Sequence, residues 1–194
     1  MKKMLMTVCT TAMIFIGTQG VQAQTTHEVV SGDTLYLLGQ KYGVSVHDIK
    51  KANSKQSDII YIGEHLHIPD SISSAERDLL ARLVHAEAQG EPYAGKVAVA
   101  TVVLNRVDHD DFPNSIYNVI HEVAPSGHYA FSPVQNGHIN RSADDEAKRA
   151  VDEALAFRGQ GAGSLFFYNP DIATNHWIAT QTETTRIGNH VFAK

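Results

Sequence analysis

The sequence lacks the residues and motifs that several common kinds of chemistry need. Its single cysteine, Cys9, lies in an apolar stretch close to the N-terminus, and the rest of the chain has none. Disulfides and thiol catalysis are therefore not expected in the main body of the protein. Gly-rich phosphate-binding loops, Cys-x-x-Cys pairs and a Ser-His-Asp order are also missing from the sequence, which argues against nucleotide, dithiol and serine-nucleophile chemistry.

A surplus of positive charge is missing as well. The chain has 16 Lys and Arg against 21 Asp and Glu, which gives a formal net charge of −5 at pH 7. Because no basic stripe is present, neither nucleic acid nor an anionic membrane surface is an expected partner. The 43% hydrophobic content of the 194 residues is ordinary for a globular protein and allows one or two small domains.

The first 23 residues have the pattern of a secretory signal peptide. Lys2 and Lys3 form a positive start, residues 4–16 are apolar, and residues 21–23 form a small-x-small cleavage site. The apolar run is too short to span a bilayer comfortably, and an uncleaved membrane anchor is the alternative. Cleavage lowers the basic count from 16 to 14 and moves the formal charge to −7. We expect a secreted mature protein without a stable membrane anchor.

Residues 27–69 predict a small β-α-α-β unit. Two short β-type runs, at residues 27–30 and 65–68, flank helices expected at residues 34–42 and 46–52. A unit of this size buries little apolar surface. It can therefore serve as a binding module but offers no obvious room for a catalytic cleft.

This unit resembles a LysM domain, a module that binds N-acetylglucosamine-containing glycans such as peptidoglycan and chitin. The resemblance is carried by "VVSGDTLYLLGQKYGVSVHDIKKAN" and "IYIGEHLHIP". It implies a shallow sugar groove formed by Gly32, Asp33, Thr34, Ile60 and Tyr61. Two positions depart from the usual pattern: Tyr36 replaces a common Trp, and Leu38-Gly39 replaces Ile-Ala, which places a glycine in a helix at a cost of about 1 kcal/mol. These departures affect the expected glycan affinity more than the fold.

A short polar joint, residues 69–73, leads into a second domain that begins with a helix. Ser73 to Glu76 form a capping box, and Gly90 ends the helix. The apolar face of this helix is formed by Leu79, Leu80, Leu83 and Val84. Its next turn reaches Glu87, where a core residue would be expected.

Glu87 is therefore a candidate proton donor. Desolvation against the apolar face and the negative end of the helix dipole are both expected to raise its pKa. A carboxylic acid that keeps its proton near neutral pH can protonate a glycosidic oxygen. The alternative is a solvated or paired glutamate at an ordinary helix end.

The remainder of the chain predicts a mainly helical domain with a small sheet. "KVAVATVVLNRV" indicates a buried helix, and residues 142–145 cap a longer helix that runs to Gly159. The stretch "APSGHYAFSPVQNGHIN" has no helical period and reads as a long functional loop. "SLFFYNP" and "IGNHVFA" indicate strands. The whole chain is expected to be an α+β protein.

A second resemblance covers residues 76–194. The motifs "ARLVHAEAQGEPYAGKVAVATVVLNRV", "FSPVQNGHI", "FFYNPDIATNHWI" and "RIGNHVFAK" are similar to the catalytic domain of the SleB-type cell wall hydrolases, the spore-cortex-lytic family. The resemblance implies a fold like lysozyme and the lytic transglycosylases, with Glu87 as the single catalytic glutamate. It also indicates residues that would contact sugar: Phe131, Gln135, Tyr168, Asn169 and Trp177.

The supply of carboxylates favours a mechanism that needs one acid. A retaining or inverting glycosidase uses two carboxyl groups across the scissile bond. Glu91 lies beyond the end of the helix, and Asp108, Asp110 and Asp111 cluster in what is more simply a solvated turn. The resemblance implies a lytic transglycosylase without a cofactor, in which one glutamate protonates the leaving oxygen of the MurNAc-GlcNAc bond and then closes an anhydro ring. Simple hydrolysis is the close variant.

Two other functions stay open from the sequence. His121, His128 and Glu122 can be drawn as zinc ligands of an N-acetylmuramoyl-L-alanine amidase. A non-catalytic wall-binding protein, with the LysM domain as its active part, is the alternative from a different class. In each case the expected partner is peptidoglycan, in the cell wall or the spore envelope, with spore cortex and vegetative wall both open as substrates and the oligomeric state unassigned.

Overall fold

The computed structural model describes residues 25–124, 127–173 and 177–194. The predicted signal peptide, residues 1–23, lies outside the described residues and carries Cys9 with it. Across the described ranges, no helix combines the length and the apolar character needed to cross a bilayer.

The N-terminal unit is a β-α-α-β fold, as the sequence predicts. Its elements are β1 (Thr25–Glu28), α1 (Leu35–Tyr42), α2 (Val46–Ala52) and β2 (His65–Ile68). The two strands pair antiparallel, with His27 opposite Leu66. Both helices begin at capping side chains, since Thr34 accepts from the Leu37 amide and Ser45 from the Asp48 amide. A separate small core fills the unit, formed by Val29, Leu35, Leu38, Val44, Ile49, Leu66 and Ile68.

The first strand lies two residues earlier than predicted. It was expected at residues 27–30 and is observed at Thr25–Glu28. Just after β1, Val29 donates to the Glu64 carbonyl and accepts from the Gly63 amide. Two residues before β2 thus lie opposite a single residue after β1. Regular pairing therefore stops there, and the chain turns into the loop that precedes α1.

The C-terminal domain is mainly helical. Its helices are α3 (Ser74–Glu87), α4 (Tyr93–Val107), α5 (Ile116–Ile120), α6 (Ser132–Gln135) and α7 (Asp145–Ala156). Fully buried side chains of α3, α4 and α7 meet in one core, among them Leu83, Val99 and Val151. The stretch predicted as a long loop before α7 contains α6 and a 3₁₀ turn at His138–Asn140.

A three-stranded antiparallel sheet completes this domain. Its strands are β3 (Phe166–Tyr168), β4 (Glu183–Ile187) and β5 (His190–Ala193), with β5 in the middle. The expectation of one closing strand over "IGNHVFA" is wrong, because Ile187 ends β4 and a turn at Gly188 and Asn189 leads into β5. The α+β fold class is confirmed.

The two domains pack against each other through α1 and α7. The rings of Tyr36 and Phe157 lie 5.1 Å apart. Arg77 donates to the Gln40 carbonyl at 2.9 Å and pairs with Asp152 at 2.8 Å. The short joint at residues 69–73 thus connects two domains that share a contact surface.

Candidate active site

Glu87 is the last residue of α3 and lies on the face that packs into the core. The helix begins with the predicted capping box: Ser73 accepts from the Glu76 amide, and the Glu76 carboxylate accepts from the Ser73 amide, both at 3.2 Å. One and two turns before Glu87 on the same face, Leu83 and Leu80 are fully buried. A strong local start and an apolar face therefore bring a carboxyl group to the edge of the core.

Burial raises the pKa of Glu87 to about 7. The cause is desolvation, which disfavours the charged carboxylate in a low-dielectric site. In the described part of the chain, no charged or hydrogen-bonding group offsets this effect. The Glu87 carboxyl group therefore keeps its proton up to about neutral pH and is suited to act as a general acid.

Glu91, four residues after Glu87, forms a structural contact with the turn between β4 and β5. Its Oε2 accepts from the Asn189 amide at 3.0 Å, and its Oε1 accepts from the Asn189 side chain at 3.1 Å. A Cβ atom on Gly188 would lie 2.0 Å from Glu91 Oε2, so only glycine allows this approach. Glu91 thus fastens the β4–β5 turn to the segment after Glu87, and it is not available as a second catalytic carboxylate.

The aspartates near residue 110 do not supply a second acid either. Asp108 forms a two-pronged ion pair with Arg158, at 2.6 and 2.9 Å. Asp110 and Asp111 are exposed, and Asp111 lies 3.8 Å from the His109 ring. The sequence-based interpretation of this cluster as a solvated turn agrees with its exposure.

Phe131 is a core residue, which corrects its prediction as a sugar-stacking ring. Only 2% of its surface is exposed. Its ring lies 6.2 Å from that of Phe167 and 5.1 Å from the Arg106 guanidinium. Gln135, at the end of α6, is exposed and remains accessible to a ligand.

The other three predicted sugar contacts lie at or after the end of β3. Tyr168 is half-buried and pairs with Val191 of β5. Asn169 Oδ1 accepts from the Asp171 amide at 3.0 Å, which shapes the turn that follows the strand. Trp177 is 54% exposed and meets the Phe166 ring edge-on at 5.3 Å. An aromatic side chain with one supported edge and a large exposed surface is typical of sugar-binding sites.

Arg106 is a structural residue that sequence reasoning missed. Its guanidinium is buried and lies 5.0 to 5.4 Å from the rings of three phenylalanines, Phe112, Phe131 and Phe166. Its Nε donates to the Leu165 carbonyl at 2.7 Å. Burial lowers the pKa of Arg106 to about 10, so it stays charged at neutral pH. The signal in the sequence was an arginine near the end of a mainly apolar helix. Its hydrogen bond to the Leu165 carbonyl connects α4 to the residue that precedes β3.

Of the five residues predicted to form the sugar groove, some make contacts within the N-terminal unit and others are exposed. Asp33 Oδ2 accepts from the Val30 amide and contacts the His27 ring, each at 2.8 Å, and the Val30 hydrogen bond, followed by that of His27, lowers the pKa of Asp33. Thr34 caps α1, and Ile60 packs against the small core. Gly32 is exposed, as is Tyr61 at 69%.

The loops that carry these residues present a common apolar rim. Gly63 donates to the Val29 carbonyl at 2.8 Å, which joins the loop after β1 to the loop before β2. The exposed apolar side chains on the two loops are Val30, Ile59, Tyr61 and Ile62. Exposed apolar groups concentrated on paired loops are a feature of ligand-binding surfaces.

The zinc site drawn from the sequence does not form. His121 stacks on Tyr117 at 4.2 Å, with its Nδ1 2.9 Å from the Tyr117 carbonyl oxygen. Glu122 lies 4.0 Å from Arg106 instead. Among the residues that the structure describes, His121, Glu122 and His128 included, no group of three or more possible ligands could hold a metal ion.

Comparison with protein families gives two matches, one in each part of the chain. A LysM domain matches residues 27–69, and a family described as Cell Wall Hydrolase matches residues 90–193. The second range begins three residues after Glu87, so this family match does not include Glu87. The interpretation of Glu87 as a catalytic acid rests on the sequence motif and on its burial.

Similar proteins include spore cortex-lytic enzymes and their solved catalytic domains. The spore cortex-lytic enzyme of Halalkalibacterium halodurans is 38% identical over 143 residues, which are 74% of this chain and 42% of the relative. The catalytic domain of the germination-specific lytic transglycosylase SleB from Bacillus anthracis is 38% identical, with a TM-score of 0.59, over 66% of this chain and all of that domain. The Bacillus cereus SleB catalytic domain gives 40% and 0.57, over 66% of this chain and 95% of that domain. The chain spans less than half the length of the curated spore cortex-lytic relatives it matches.

Proposed function

Because the chain belongs to the cell wall hydrolase family, we propose that it cleaves the glycan strands of peptidoglycan between MurNAc and GlcNAc, as a lytic transglycosylase with Glu87 as general acid and base. The LysM domain supplies a second contact with the same polymer. The proposed sites of action are the cell wall and the spore envelope, which the protein reaches by secretion.

The observation that carries this proposal is the burial of Glu87 at the end of α3, which raises the pKa of its carboxyl group. With a pKa of about 7, the carboxyl group holds a proton that it can give to the glycosidic oxygen of GlcNAc as the bond to MurNAc C1 breaks. The resulting carboxylate then takes the proton of the MurNAc C6 hydroxyl, and O6 bonds to C1. One carboxyl group serves both steps, and no water is consumed.

The surrounding carboxylates support a single-acid mechanism. Glu91 is held by Asn189, and Asp108 is held by Arg158. Hydrolysis with retention or inversion would need a free carboxylate on the other side of the scissile bond. The intramolecular C6 hydroxyl removes that requirement.

Substrate contacts are proposed at two places. In the catalytic domain, Tyr168 and Trp177 stack on sugar rings, while Gln135 and Asn169 hydrogen-bond to hydroxyl or acetamido groups. In the LysM domain, the loops with Gly32 and Tyr61 hold a strand of N-acetylglucosamine-containing glycan. There Asp33, Thr34 and Ile60 act by shaping the loops, because their side chains are engaged within the domain.

The test is product analysis with a matched pair of variants. The mature protein and its Glu87→Gln and Glu183→Gln variants are incubated with purified vegetative and cortex-type peptidoglycan, and the released fragments are identified by mass spectrometry. We expect anhydro-muramic ends from the parent and from Glu183→Gln, since Glu183 is exposed on β4, and none from Glu87→Gln.

Other products would redirect the assignment. Reducing muramic ends would indicate hydrolysis and a second carboxylate, and free stem peptides would indicate an amidase. An absence of fragments from the parent, or full activity of Glu87→Gln, would contradict Glu87-dependent lysis and favour a wall-binding role.

A further inference from the structure

Two of the positions at which this LysM domain departs from the usual pattern, Tyr36 and Gly39, contact the catalytic domain. Tyr36 stacks against Phe157 at the C-terminal end of α7. Gly39, one turn later on the same helix, lies between its own domain and the other, because a Cβ atom on it would approach the Val44 carbonyl oxygen to 2.8 Å and the Ala156 side chain to 3.2 Å. The absence of a side chain at Gly39 thus allows α1 to lie close to α7 as well as to the turn that follows α1.

Ala156 shows that the contact is specific. It is fully buried, yet it is not a member of the hydrophobic core of the catalytic domain, which α7 enters through Ala147, Val151, Ala154 and Leu155. Gly39 of the LysM domain lies directly over it. Gly39 of the LysM domain therefore contributes to the burial of Ala156.

A group of polar side chains lies beside this contact. The Tyr36 hydroxyl accepts from the Gln40 side chain at 2.8 Å, and burial, followed by the nearby Glu153 carboxylate, raises the pKa of Tyr36. Tyr93, the first residue of α4, donates to the same carboxylate at 2.8 Å. Burial, followed by the Glu153 hydrogen bond, raises the pKa of Tyr93 to about 12, so the hydroxyl remains a donor at any physiological pH.

Both ends of this polar group are close in the sequence to residues with a proposed function. Tyr36 is two residues after Thr34, in the helix that starts directly from the LysM glycan loop. Tyr93 is six residues after Glu87, on the far side of the turn fixed by Glu91. Arg77 of the catalytic domain adds a further contact between the domains, because it donates to the Gln40 carbonyl of the LysM domain. Asp152 of its own domain holds the guanidinium in place.

We propose that the docked LysM domain is a fixed part of the substrate-binding surface, which holds a long glycan strand at a constant offset from Glu87 and so selects long strands over short fragments. This inference rests on the proposed function. A LysM domain on a free tether would raise the local concentration of strand without setting its register. Docking through α1 also restricts the orientation of the strand, which favours a defined position of the scissile bond.

The experiment disrupts the contact from each side in the full chain. Ala156→Arg places a large charged side chain under Gly39, and Tyr36→Ala removes the ring that contacts Phe157. The matched control is Ala162→Arg at an exposed loop position. For each protein, small-angle X-ray scattering reports domain separation, and rates are measured on long purified glycan strands and on a tetrasaccharide of two disaccharide repeats.

Loss of docking should lower the ratio of the long-strand rate to the tetrasaccharide rate by about threefold to tenfold, and it should broaden the distribution of fragment lengths. Ala162→Arg should match the parent in both measurements. Retention of the Glu87→Gln forms on insoluble peptidoglycan should be unchanged, which shows that the LysM domain itself is intact.

The inference is overturned if either variant separates the domains without changing the rate ratio. It is equally overturned if the scattering profile of the parent shows two domains that move independently, because the LysM domain would then not be docked. If Ala156→Arg does not fold, Tyr36→Ala alone tests the inference. Failure of the proposed function is distinct, since the parent would then give no anhydro ends from either substrate.

Discussion

Glu91 and Asn189 are 98 residues apart in the sequence and form a two-point hydrogen-bonded contact, at 3.0 and 3.1 Å. The contact joins the segment that follows α3 to the turn between β4 and β5. Glu87 ends α3 four residues before Glu91. The position of the proposed catalytic acid therefore depends on a hairpin from the far end of the chain.

Replacement of Asn189 by alanine should lower activity mainly through this positioning role. The side-chain hydrogen bond to Glu91 is lost while the backbone one remains, so the cost in unfolding free energy should be about 1 kcal/mol. We expect kcat to fall several-fold with KM nearly unchanged. Kinetics and urea unfolding measured together check this, and a change in KM alone would contradict it.

The matched variant is Gly188→Ala, which puts a Cβ atom against Glu91 without removing any hydrogen-bonding group. It should reduce kcat at least as strongly as Asn189→Ala. Equal activity of both variants and the parent would show that the turn does not position Glu87.

The pH dependence of activity should follow the protonation of Glu87. The first step needs the protonated carboxyl group, and the pKa of Glu87 is about 7. We expect kcat/KM for glycan cleavage to decline as pH rises through about 7. Initial rates from pH 5 to 9 at constant ionic strength give this profile, and a rate that keeps rising to pH 9 would rule out Glu87 as the acid.

The same group should make stability depend on pH in a defined direction. Folding raises the pKa of Glu87 from 4.5 to about 7, so between these values the native state binds more protons than the unfolded state. The stability of the parent therefore falls as pH rises through this window, and it levels off above it.

Glu87→Gln removes the titration and should be more stable than the parent above pH 7, by on the order of 3 kcal/mol for a shift of this size. The two proteins should have closely similar stability at pH 4. Urea unfolding at pH 4, 6 and 8 measures the difference, with Glu183→Gln as a control that should show no such trend. A pH-independent difference would mean that Glu87 is not desolvated.

Local patterns explain why the sequence predicts α3 and the buried position of Glu87 at its end. The capping box spans four residues, and the apolar face repeats within each turn, so both signals are contained in one short window. Helix α7 and its Asp144 cap, which accepts from the Ala147 amide at 2.7 Å, follow the same logic. The β-α-α-β order of the LysM unit is also readable locally.

The features that sequence reasoning missed depend on residues far apart in the chain. The role of Glu91 is set by Asn189, and the burial of Phe131 is set by Phe167 and Arg106. The packing of Gly39 involves Ala156 of the other domain as well as the nearby Val44 carbonyl. Aromatic residues in a Gly- and Pro-containing loop look alike in sequence whether they face solvent or core, and only the tertiary packing separates Phe131 from Trp177.

Trp177 gives a direct test of that separation. Its exposed surface and its edge-on support from Phe166 are suited to stacking on a sugar ring. Trp177→Ala should raise KM for glycan strands by about tenfold, the loss of one stacking contact of 1 to 1.5 kcal/mol, with little change in unfolding free energy because the side chain is 54% exposed.

Trp177→Phe keeps an aromatic face and should recover most of the affinity. The contrasting variant is Phe131→Ala, which should destabilise the fold by about 3 to 5 kcal/mol because its ring is buried in the core. Chemical unfolding and kinetics on the same preparations distinguish the two kinds of residue. If Trp177→Ala instead lowered stability as strongly as Phe131→Ala and left KM unchanged, Trp177 would be a packing residue and the sugar contact would have to be sought elsewhere.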